Sequence, residues 1–182
     1  HLLHDRLSLS LLARSCRDYL RILRWGLTTP ARVFDESDPR LPASRALQRV
    51  IREQFRGRDT MLNAIWINLF EEVVHELGPQ RLGIYLMENQ PWEAAFVSAW
   101  RRAGNGPVLG VVHSTARFWD TRLFKDVRDV WEVEPGICSP DAMPTPDLVV
   151  VNGPAMEESM LAGGYPRRPL VMAEALRFRG DE

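Results

Sequence analysis

Apolar positions follow two different rhythms along the chain. From Asp5 to Trp25, Leu9, Leu12, Cys16, Tyr19, Leu20 and Leu23 recur at helical spacing, which predicts an amphipathic helix. The run from Thr28 to Pro42 is polar and holds three prolines, so it is expected to be a connector. Helical spacing resumes from Ala43 to Arg56, is interrupted at Gly57, and continues from Thr60 to Leu77 on a broad face carrying Leu62, Ile65, Trp66, Leu69, Phe70, Val73 and Val74. Gly78-Pro79 ends that helix by removing first the side chain and then the amide donor.

Beyond Pro79 short apolar runs alternate with helical stretches. Leu82–Met87, Val108–Val112, Leu148–Val151 and Leu170–Ala173 have the length and composition of parallel strands, and a further strand-like piece surrounds Val130 to Val133. Pro91 and Pro154 suit the first turn of helices that stop at Gly104 and at Gly163-Gly164, and Glu93 brings negative charge to a positive helix end. PGICSPDAMPTP is expected to be a loop. Strands separated by helices of this length imply right-handed crossovers. The expected fold class is therefore α/β: a Rossmann-like parallel sheet with helices on both faces over residues 59–182, preceded by a helical amino-terminal segment, residues 1–58.

Ligands of open α/β sheets bind at the carboxyl ends of the strands. Polar residues gather at those positions here: Glu88 and Asn89, His113 to Thr115, Asn152 and Gly153, Glu174 and Arg177. For Asn89 and Asn152 the alternative is that each caps a helix or turn. His113 is followed by a polar loop, which favours a functional role. Dinucleotide, Walker, nucleophile-elbow and HExxH motifs are absent, and the glycines of GNGPVLG precede a strand instead of following one.

Charge refines the picture in one place. The net charge of −1 gives no reason to expect a nucleic-acid partner. Yet residues 1–58 hold 12 Arg against 6 acids, a balance of +6, and the remainder carries −7. Arg14, Arg17, Arg21 and Arg24 form a stripe on the first helix, which suits an anionic membrane surface or an acidic partner; the alternative is a solvated face. Cys16 and Cys138 lack metal-site spacing and are expected to be reduced thiols in a cytoplasmic protein, with peripheral contact at the inner face of the membrane through the basic helix. No signal peptide or run of transmembrane length is present. The chain begins with His1 and not Met, as expected of a piece of a longer protein.

Four blocks carry a resemblance. LGIYLMENQPWEAAFVSAW, GVVHSTARFWDTRLF, PDLVVVNGPAMEESMLAGGYP and EALRF resemble, in order, a family of bacterial surface-carbohydrate biosynthesis proteins similar to the two-Rossmann-domain (GT-B) glycosyltransferases that build O-antigen and capsule. The match runs from about Asp59 to Phe178. It implies an amino-terminal, acceptor-side domain, with the nucleotide-binding domain following EALRF. His113 stands where CDP-glycerol glycerophosphotransferases carry a His-Gly, with Ser114 in place of the glycine. The implied partners are an activated sugar donor and a glycan acceptor; no cofactor or metal is expected. Inverting glycosyl transfer needs a base for the acceptor hydroxyl, and a carboxylate at a strand end can supply it. Glu88 is the candidate base or acceptor ligand and His113 the second. Asn89, Ser114, Thr115, Asn152, Gly153 and Glu174 are candidates for binding substrate. Trp92 or Trp119 could stack on a sugar face, with core packing as the alternative, and Arg117 and Arg177 could hold phosphate or a sugar carboxylate. Two rival functions are a non-catalytic carbohydrate- or partner-binding α/β module and an enzyme resembling nucleotide-sugar epimerases.

Overall fold

The computed structural model describes residues 6–28, 53–112, 132–134, 137–138, 143–165 and 169–173. Packing divides the chain into two compact units, His1–Val73 and Val74–Glu182. From sequence the boundary falls at residues 58 and 59, where charge and helix breakers change; by packing it falls near the end of the second described helix.

The first unit contains α1 (Leu9–Thr28) and most of α2 (Arg58–Leu77). Ser8 caps α1, its hydroxyl accepting the Leu11 N–H at 3.1 Å. α1 meets α2 through Arg14 and Asp18, and on that side of α1 Leu11 and Ser15 are fully buried and form its seam, while Ala64 and Leu69 are buried on α2. Asn68, also buried, donates to the Asp18 carboxylate at 2.9 Å and to the Ala64 carbonyl at 3.0 Å. Arg14 pairs with Glu72, and the Tyr19 hydroxyl donates to the Arg56 carbonyl at 3.0 Å. The stripe of Leu9, Cys16 and Leu20 that marks this helix in the sequence is not the seam, and these three side chains are exposed. Periodicity reveals a face but not which partner it meets.

In the second unit β1 (Gly83–Met87), α3 (Pro91–Arg102), β2 (Val108–Val112), β5 (Leu148–Val151), α4 (Pro154–Ala162) and β6 (Leu170–Met172) form a Rossmann-like α/β arrangement, as expected. The sheet is parallel throughout in the order β1-β2-β5-β6. Each strand lies within one residue of its expected range. β3 (Glu132–Glu134) and β4 (Ile137–Cys138) pair antiparallel and apart from it, so the strand-like piece near Val130 is no member of the parallel sheet.

Both β1→β2 and β5→β6 step in the same direction across the sheet, and crossovers of one hand then fall on one face. Packing bears this out. Tyr85 of β1 meets Trp92 and Phe96 of α3, at ring-centroid distances of 6.1 and 5.7 Å. Met87, Val112, Val149 and Val151 form one buried cluster with Met156 and Met160 of α4 and with Tyr165. Register places Tyr85, Gly110 and Val149 in a single row, so these two helices cover the same side and do not take one face each, as helices on both faces would require, because both crossovers step in one direction. The opposite side presents Ile84, Leu86, Leu148 and Val171, all exposed. Gly106 joins the end of α3 to the sheet: its N–H donates to the Gln80 carbonyl at 2.9 Å, and its carbonyl accepts the Trp100 indole N–H at 2.6 Å. A Cβ at Gly106 would run into the Arg81 carbonyl, so only glycine fits. Among the described residues no helix is long and apolar enough to cross a membrane.

Candidate functional site

The carboxyl ends of the strands are level. Met87 pairs with Val112, Val111 with Val150, and Val151 with Met172, so the four strands finish in one row. The residues that follow this row are those in which polar groups gather in the sequence.

After β1 the chain turns sharply. Asn89 takes the left-handed conformation with φ of 56°, the only positive φ at a non-glycine among the described residues, and asparagine is a residue type that tolerates it. Gln90 stands at the N-cap of α3 and Pro91 in its first turn. The turn is held from inside by Glu93, which is 5% exposed. One of its carboxylate oxygens accepts the N–H of Glu88 and the N–H of Gln90, each at 2.8 Å. Glu93 thus bridges the strand exit and the helix entry, and its charge lies at the positive end of α3. Glu88 itself is exposed at the top of the sheet, on a backbone fixed through its own N–H.

The turn after β5 has the same plan in fewer residues. Asn152 and Gly153 are half-buried, Gly153 has φ of 152°, and Pro154 opens α4. The Gly153 carbonyl accepts the Glu157 N–H at 3.2 Å. β2 lies between β1 and β5, so the two turns stand two strand spacings apart, about 10 Å. Glu88 and Asn89 therefore share one turn, and Asn152 and Gly153 share another on the same edge of the sheet.

Trp92 is half-buried and sets its ring edge-on to Tyr85, with 73° between the planes. It begins an aromatic row through Phe96 and Trp100 along α3, so its packing role is the one the structure displays. His113, Ser114, Thr115, Arg117, Trp119, Glu174 and Arg177 lie outside the described residues.

Three residues beneath this edge escaped notice as site members. Glu93 is legible in the sequence only as an acid near a helix start, three residues after its N-cap. Tyr85 and Tyr165 are legible only as core aromatics. Burial raises the pKa of the Tyr85 hydroxyl, helped by the Glu93 charge and by Tyr165 and opposed by Arg101. Burial alone pushes Tyr165 up to about 12. Glu93 holds the turn of Glu88, and the two tyrosines pack on the helix-covered side of the sheet. Compared with models of known protein families, with curated proteins and with solved structures, the chain matches none.

Proposed function

We propose that this chain is the acceptor-side half of a glycosyltransferase-like enzyme of bacterial surface polysaccharide synthesis. The observation that carries the proposal is an exposed carboxylate, Glu88, on a turn locked by a buried one, Glu93, at the strand edge where α/β sheets take their ligands. A general base has to be placed accurately and reach substrate, and this pair divides those tasks. The resemblance of the four sequence blocks supplies the reaction class.

In this mechanism the Glu88 carboxylate takes the proton of an acceptor hydroxyl. That oxygen forms the new bond to the anomeric carbon of the donor, while the bond from that carbon to the phosphate leaving group breaks. The electron pair leaves with the phosphate. Asn89, on the turn of Glu88, and Asn152, about 10 Å away along the edge, would hold further hydroxyls of the acceptor. The donor is held by a nucleotide-binding domain outside this chain.

The test is an NMR titration of the chain with oligosaccharides from bacterial surface polysaccharides and, separately, with nucleotide sugars. The expected result is that oligosaccharides shift the amides of Glu88, Asn89, Asn152 and Gly153, while nucleotide sugars bind weakly. Tight binding of a nucleotide sugar, or no response at those four amides to any oligosaccharide, would overturn the proposal.

A further inference from the structure

The outer face of α1 is exposed along its length. Around the axis of this helix, at 3.6 residues per turn, the side chains fall into three sectors whose centres stand roughly 120° apart. One sector, with Leu11 and Ser15, is the buried seam. The second carries Leu9, Cys16, Leu20 and Leu27 in an exposed aliphatic stripe, with Leu12 and Leu23 half-buried along its margin. The third holds Arg14, Arg17, Arg21 and Arg24, the last three exposed. The basic sector adjoins the aliphatic one.

We infer that this face is a docking surface for an anionic lipid layer, which the aliphatic stripe enters at the headgroup boundary while the arginines meet the phosphates. Three features suit an anionic lipid layer. The stripe runs over 19 residues, a rise of about 27 Å of straight helix, so a flat layer can meet its whole length, whereas protein interfaces concentrate on a few anchors in pockets. The single acid of α1, Asp18, is engaged by Asn68 and Arg21, so no carboxylate opposes a negative surface from the outer face. All the cations are Arg, which bonds phosphate in a bidentate fork. The inference is independent of glycosyl transfer.

The experiment is flotation of the 182-residue chain with vesicles of phosphatidylglycerol and phosphatidylcholine, and with phosphatidylcholine alone, at low and high salt. Binding should occur on the anionic vesicles at low salt and fall severalfold at high salt. Neutralising each arginine, in Arg17→Gln, Arg21→Gln and Arg24→Gln, should lower the partition coefficient roughly fivefold. Leu20→Gln, exposed and outside the seam, should lower it about tenfold. An environment-sensitive dye on Cys16, in a Cys138→Ser background, should shift to the blue on binding. Circular dichroism of each variant checks that the helices persist. Absence of binding to anionic vesicles at low salt overturns the inference. So does binding that ignores Leu20→Gln and leaves the dye unshifted, which would be a coulombic contact without docking. Retention by a soluble polyglutamate without vesicle binding would assign the face to an acidic protein.

Discussion

The Glu93 carboxylate accepts the backbone N–H of Glu88 at 2.8 Å, across the whole turn between β1 and α3. A buried acid thus fixes the place of an exposed one. Glu93→Ala removes the acceptor of two N–H groups and should cost about 2 kcal/mol or more, measured by denaturant unfolding. Glu93→Gln keeps one carbonyl oxygen for them and should cost about 1 kcal/mol, the difference between charged and neutral acceptors.

Glu88→Gln separates chemistry from stability. Its side chain is exposed and the helix end is served by Glu93, so the unfolding free energy should change by less than about 0.5 kcal/mol. Under the proposed glycosyl transfer, with the carboxylate as base, the rate should fall by roughly two to four orders of magnitude. Near-normal turnover with unchanged stability would remove Glu88 from the catalytic role and leave His113 as the candidate.

Much of the second unit was legible because its apolar runs are short and bounded by Gly, Pro and Asn. Those breakers placed all four parallel strands, and Pro91 and Pro154 placed both helix starts. The side on which helices pack was less legible. Ile84 and Leu86 look as buried in sequence as Tyr85 and Met87, since an apolar run does not say which alternate positions face a helix. The same limit applied to α1, where Leu11 and Ser15 form the seam and the more regular leucine stripe stays outside. Glu93 was visible as helix-end charge, but its reach back to Glu88 depends on the left-handed Asn89, which no periodicity reports. Of the candidate site, Glu88, Asn89, Asn152 and Gly153 lie on the expected edge.

Tyr165 should make the fold sensitive to alkali. Its hydroxyl is buried and has no hydrogen-bond partner among the described residues. Its pKa, about 12, exceeds the ordinary tyrosine value of about 10. Above pH 10 the unfolded chain releases the proton first, so stability is full below that pH and is lost between pH 10 and 12. The loss should be about 1.4 kcal/mol per pH unit for Tyr165, and Tyr85, raised in the same direction, adds to it. Denaturant unfolding at pH 9, 10 and 11 measures the slope, which Tyr165→Phe should reduce. At pH 7 Tyr165→Phe should be neutral or stabilising by about 1 kcal/mol, because the hydroxyl it deletes makes no bond in the fold.

The two sides of the sheet should respond unequally to the same chemical change. Val149 is fully buried under the helices, and Val149→Thr places a hydroxyl among Met87, Met156 and Met160 with nearly unchanged volume. That should cost about 1–3 kcal/mol. Ile84 and Leu86 are 61% and 56% exposed on the other side, where Ile84→Thr and Leu86→Thr should each cost less than about 0.5 kcal/mol. All three variants can be compared by thermal and denaturant unfolding under identical conditions. Fully parallel sheets are ordinarily covered on both faces, so the comparison also tests whether this one is covered in solution. If Ile84→Thr proved as costly as Val149→Thr, the outer side would be packed against something, and the polar substitution would be disrupting a contact. A small cost at Ile84 with a large one at Val149 is the pattern expected when α3 and α4 share a face.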